Sequence, residues 1–157
     1  MSEIVEKIKS AILQHCSQND KTIPRKTTDS ASNASLEWET SLILEFREKH
    51  KKNHTEKNFS QSIPVQFDVS FDELNHKIYV FLQWGRIDKK LWKQAEKSIV
   101  KEINDRGDVS VRFTEENEVV ELGIIYPFQE FDFPFVYQEI VSFFGLLNGI
   151  LFHKANE

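Results

Sequence analysis

Apolar residues alternate with polar ones over five stretches of the chain and recur at helical spacing over three others, and this patterning predicts the fold. Ser2 is placed to cap a first helix, whose Ile4, Ile8 and Ile12 repeat along one face. Leu36, Trp38, Thr40, Leu42, Leu44 and Phe46 then fall on every second position. Glu37, Glu39, Ser41, Ile43, Glu45 and Arg47 lie between them, the pattern of a half-buried strand. Ile63, Val65, Phe67, Val69 and Phe71 alternate again, with Pro64 near the strand start, where a missing N–H is tolerable. After a turn about Asn75, Ile78, Val80, Leu82 and Trp84 make a third strand. Tyr79 and Phe81 on its other side predict cover on both faces.

Asp88 is the expected N-cap of a helix that runs to about Asp105 and is closed by Gly107. Its buried stripe is Leu91, Trp92, Ala95, Ile99 and Ile103. A second hairpin spans Val109–Phe113 and Val119–Ile125. The last helix opens at Asp132 and Pro134 and ends near His153. The order is α-β-β-β-α-β-β-α, an α+β fold with a five-stranded antiparallel sheet and helices on one face. Phe67–Asp105 and Val109–Asn148 share a hairpin-then-helix layout. The strand at Leu36–Phe46 makes the two halves unequal, so the match is one of architecture. Residues 1–157 are expected to form a single domain, with flexible loops at 17–35, polar and nearly free of apolar residues, and at 48–62.

A chain of 157 residues is long enough to bury a core without staples. Charged residues at 29% and hydrophobic residues at 39% place it among soluble globular proteins. A net charge of −5 argues against nucleic acid or an anionic membrane as partner. The lone Cys16 suits a reducing compartment, and the N-terminus lacks the h-region of a signal peptide, so the expected location is cytoplasmic. Val136–Phe152, interrupted by Gln138, Glu139, Ser142 and Asn148, is expected not to span a membrane. Phenylalanine occurs 13 times, more than one small core requires, which points to rings at an interface.

The element order, size and acidity resemble the fold of the class I type III secretion chaperones and of the related YbjN-like and TY-Chap-like proteins, over nearly the whole chain. That resemblance implies a small, mostly dimeric protein-binding module without enzymatic activity. It rests on no signature motif and carries no functional residue across to this sequence.

Five aromatics crowd the segment Tyr126–Phe135, and Phe128, Phe131, Phe133 and Phe135 are the candidate partner-binding residues. The last helix is apolar on almost every side. Phe144 and Leu147 are therefore the candidates for self-association in a homodimer, against the alternative of a central helix buried within one protomer. Lys89, Lys93, Lys97 and Lys101 line one face of the middle helix, a pattern that a solvated surface explains.

Catalytic, cofactor and metal sites are expected to be absent. His50 and His54 sit among lysines that would repel a cation, and His15–Cys16 ends an amphipathic helix. A nuclease core would need a carboxylate where Gln83 stands opposite Asp68's strand. The chain is thus expected to be a non-enzymatic, chaperone- or adaptor-like module that captures a segment of another protein. The alternative is an inhibitor or immunity-type protein that uses the acidic second hairpin against a folded target, and a metal-dependent nuclease ranks below both.

Overall fold

The computed structural model describes residues 3–19, 25–29, 33–49, 56–105 and 109–156. The elements are α1 (Glu3–Asn19), β1 (Arg25–Asp29), β2 (Asn33–Lys49), β3 (Glu56–Asp72), β4 (Lys77–Trp84), α2 (Lys89–Asn104), β5 (Val109–Thr114), β6 (Val119–Pro127) and α3 (Phe133–Ala155), with a 3-10 turn at Phe128–Glu130. The five expected strands and their order are present, with one short strand, β1, added at the edge. The sheet order is β1-β2-β3-β4-β6-β5 and every pairing is antiparallel. β4 and β5 therefore run parallel with β6 between them, joined through α2.

Two segments expected as loops carry strand. β1 falls within 17–35, residues 17–19 close α1, and residues 33–35 open β2. Residues 48–49 and 56–62 belong to the β2–β3 hairpin, whose pairing runs without a break from Asn33 opposite Asp72 to Lys49 opposite Glu56. The ladder continues there on main-chain hydrogen bonds after apolar alternation has ceased, a bond that composition does not report. Residues 20–24, 30–32 and 50–55, with His50 and His54 among them, lie outside the described residues.

The core lies between the sheet and the helices. Leu36, Trp38, Phe67, Val69, Ile78, Val80, Leu82, Leu122 and Ile124 all point inward and are buried. α3 is the middle helix of the layer and packs against α1, α2, β2 and β6. By length and composition it would also pass for a membrane span. Here one apolar face is spent on the core: Phe133 meets Trp38 edge-on, Tyr137 stacks on Phe67, and Phe144 meets Trp84 edge-on at 4.7 Å. Its one buried amide, Asn148, donates to the Phe144 carbonyl at 2.8 Å, so no unpaired polar group is left in the helix there.

α2 follows its sequence pattern closely. Asp88 caps it by accepting from the Lys90 N–H at 3.1 Å, and Trp92 stacks on Phe113 of β5. The other sheet face is bare of helices among the described residues. Tyr79 and Phe81 are thus half-buried by each other and by the sheet, where cover on both faces was expected.

Candidate functional site

The aromatic segment folds back on the core. Phe128 is buried, its N–H donating to the His76 carbonyl at 2.9 Å, and Phe133 is buried against His15, Trp38 and Tyr137. Phe131 is half-buried beside Tyr126. Only Phe135, 60% exposed, presents its ring to solvent. It borders a shallow cleft of about 300 Å³ along the outer side of α3, lined by Gln138, Ser142, Phe143 and Leu146. Phe144 and Leu147, the residues expected at a self-association surface, are 1% and 0% exposed within the protomer. Their rings and branches face the sheet because α3 sits between two helices, which also accounts for its all-round apolar character.

Sequence reasoning missed a larger groove. β3 pairs with β4 only from Gln66 to Asp72, so among the described residues 56–65 pair with β2 alone. The β2–β3 ribbon thus overshoots the end of β4 and overhangs the C-terminal half of α3. Beneath it lies a groove of about 530 Å³ walled by Leu44, Ile63, Trp84, Ile87, Leu151 and Phe152. Its floor near the β4–α2 loop contains Arg86, a non-glycine residue in the left-handed region (φ 65°). The signal was present in the sequence: apolar alternation runs from Ile63 to Phe71 in β3 but only from Ile78 to Trp84 in its partner β4, and unequal partners must leave an overhang.

The bare sheet face is a second surface of distinct chemistry. One row across it reads Arg25, Glu37, Asp68, Phe81, Gly123, Ser110, and the next reads Glu39, Gln66, Gln83, Glu121, Arg112. Gln66 donates to Glu37 and Gln83 to Glu121, while the exposed Arg112 reaches Glu121 at 3.3 Å. Burial pushes the Asp68 carboxyl above its usual range, the charges on Glu37 and Glu121 push it further, and the Ser70 hydroxyl partly offsets them.

The charge features expected at the surface largely answer one another. Glu115 at the tip of the second hairpin bridges Lys89 at 3.2 Å and Lys93 at 3.7 Å, which holds its carboxyl below the usual range. The basic stripe and the acidic turn therefore partly cancel each other. Among the described residues, no group of three or more His, Cys, Asp or Glu side chains is placed to hold a metal ion. Cys16 is buried, and His15 packs its ring on Phe133 and Tyr137.

No family model matches the chain, and no curated protein does. Among solved structures, a chain in the crystal structure of the ExsC-ExsE complex is similar to it, with 11% of residues identical and a TM-score of 0.49, over 99% of this chain and 96% of that one.

Proposed function

We propose that the protein is a non-enzymatic, chaperone- or adaptor-like module that captures an extended segment of a partner protein at the β3 overhang. The observation that carries this reading is an unpaired strand edge lying beside an apolar groove. An extended segment aligned with β3 beyond the end of β4 would gain main-chain hydrogen bonds along residues 60–65, where Pro64 could offer its carbonyl but has no N–H to donate. Strand geometry sends alternate side chains to opposite faces, so every second residue of the segment would enter the groove between Ile63 and Leu151. Strands average about 5–6 residues, a length that a short, locally unfolded client segment supplies. Phe135 is proposed as a second, smaller contact at the other end of α3.

Capture of partners from the native source, followed by mass spectrometry, identifies the client, and synthetic peptides tiling it then test the mode. A chaperone-like module rebinds one short peptide, and Ile63→Glu abolishes that binding while leaving the fold intact by circular dichroism. Binding of only the intact folded target would instead support the inhibitor reading. Retention of every partner by Ile63→Glu removes the groove from the proposal. A homodimer, proposed from the apolar excess of α3, would have to use outward residues such as Phe135 and Leu146. Sedimentation at micromolar concentration tests it, and a monomer there removes it. A cytoplasmic setting is proposed from the single buried cysteine.

A further inference from the structure

The central strands β3, β4 and β6 carry an unusual outward face for a bare sheet. Tyr79 and Phe81 stand with their rings parallel, 6.4 Å between centroids, and Ile125 beside them is 46% exposed. The Phe81 ring lies over Gly123, where an added Cβ would come within 2.9 Å of it, so the glycine seats the ring flat against the sheet. Around this apolar centre stand Glu37, Asp68 and Glu121. Glu37 is directly opposite Asp68, a like-charge pairing that costs stability in a sheet. Among the described side chains Arg112 is bonded to Glu121 and is itself largely in solvent, and at the sheet edge the register sets Arg25 of β1 opposite Glu37.

We infer that this face docks a basic protein segment, its arginine or lysine cations lying among Glu37, Asp68 and Glu121 and its apolar groups or cation stems resting on Tyr79, Phe81 and Ile125. Charge complementarity selects the occupant. The carboxylates repel nucleic acid and anionic membranes, whereas a cation neutralises the opposed pair and meets an aromatic face at the same time. Burial first, and then the charges on Glu37 and Glu121, raise the Asp68 carboxyl, so a cation placed beside it would favour its ionised form.

A second copy of the chain does not fit this role. Its basic surface is the outer face of α2, which lies on the opposite side of the molecule from the bare sheet face. Such a contact is heterologous: it extends head-to-tail and cannot close as a two-fold pair. The surface also differs from the β3 groove in position and chemistry, so it stands or falls independently of segment capture there.

The test uses the full chain with isotope labelling and a short peptide of alternating arginine and leucine, with a glutamate–leucine peptide as control. Binding of the arginine peptide is expected to move the resonances of Tyr79, Phe81 and Ile125, and to weaken as sodium chloride is raised. Glu37→Gln with Glu121→Gln, which keeps both glutamine-donated hydrogen bonds, is expected to weaken it roughly tenfold. Phe81→Leu is expected to weaken it while leaving the fold unchanged. Equal binding of the glutamate peptide, shifts centred on another surface, or unchanged affinity in both variants would overturn the inference. So would concentration-dependent self-association that Phe81→Leu abolishes, since the occupant would then be a second copy.

Discussion

Replacing Gly123 by alanine tests how the bare sheet face is built. The new Cβ would stand 2.9 Å from Phe81 Cε1, 3.0 Å from its Cδ1 and 2.9 Å from Ser110 Oγ. Carbon atoms in good contact lie about 3.5–4.0 Å apart, so something must move. Ser110 is exposed and its hydroxyl rotates away, at the loss of a weak 3.4 Å bond to the Gly123 carbonyl. Phe81 cannot yield so easily, because its ring is rigid and Tyr79 flanks it.

Forcing added methyl volume into a packed contact costs about 1–3 kcal/mol. Alanine recovers about 0.5–1 kcal/mol of chain entropy relative to glycine in a strand. The net expectation is a loss of about 1–2 kcal/mol, or a melting temperature lower by about 2–8 °C for a domain of this size. Urea denaturation of the single variants and of the double variant with Phe81→Ala measures it. With the ring absent, Gly123→Ala should be neutral or stabilising, for a coupling of about 2 kcal/mol. A Gly123→Ala protein as stable as the wild type, or equally destabilised in both backgrounds, refutes the seating of Phe81 on Gly123.

Tyr126 donates to Glu139 at 2.8 Å and ties β6 to α3; burial and that carboxylate raise its phenol well above its ordinary range. Tyr126→Phe should therefore cost about 1–2 kcal/mol in a urea titration, the worth of a hydrogen bond to a charged group in a half-buried setting. Asp68→Asn should stabilise the protein at neutral pH, because the folded state holds this carboxyl above its unfolded value of 3.8 and so disfavours its ionised form. That advantage should shrink as pH falls through the raised value and vanish below the unfolded one; a difference that grows on acidification contradicts the assignment. Glu115→Gln should leave the urea midpoint unchanged within error, since its bridges to Lys89 and Lys93 lie in solvent.

Period and capping made the framework legible. Asp88 caps α2 where the sequence places it, and the stripe Trp92, Ala95, Ile99 and Ile103 is buried as the 3.6-residue spacing requires. What periodicity cannot supply is the identity of the neighbour. Phe144 and Phe135 belong to the same apolar helix, yet one meets Trp84 and the other meets water, because α1 and α2 flank α3 on two sides only. The aromatic segment shows the same limit. Its five rings read alike in sequence, yet a main-chain bond from Phe128 to His76 draws one ring inward while Phe135 stays in solvent. Strand length was the other gap, since the β2–β3 ladder outlasts its apolar alternation and the overhang that forms the groove follows from that excess.

Three departures from what stability alone would select coincide with the two proposed surfaces. Among the described residues β3 keeps an unpaired edge beside apolar side chains, an arrangement that sheets ordinarily cover or charge. Arg86, at the floor of that groove, occupies a backbone region that costs a side chain about 1–2 kcal/mol and that glycine would adopt freely. Glu37 and Asp68 oppose each other on the bare face although a neutral residue at either position would relieve them. Local chemistry and global fold agree at α2, which is capped, at Asn148, which is satisfied, and at Glu115, which pairs with the lysines nearest it. Left-handed backbone also occurs at His76 and Glu118, so strain alone does not single out Arg86; what sets these three departures apart is that each lies on a surface proposed to bind, where a partner would offset its cost.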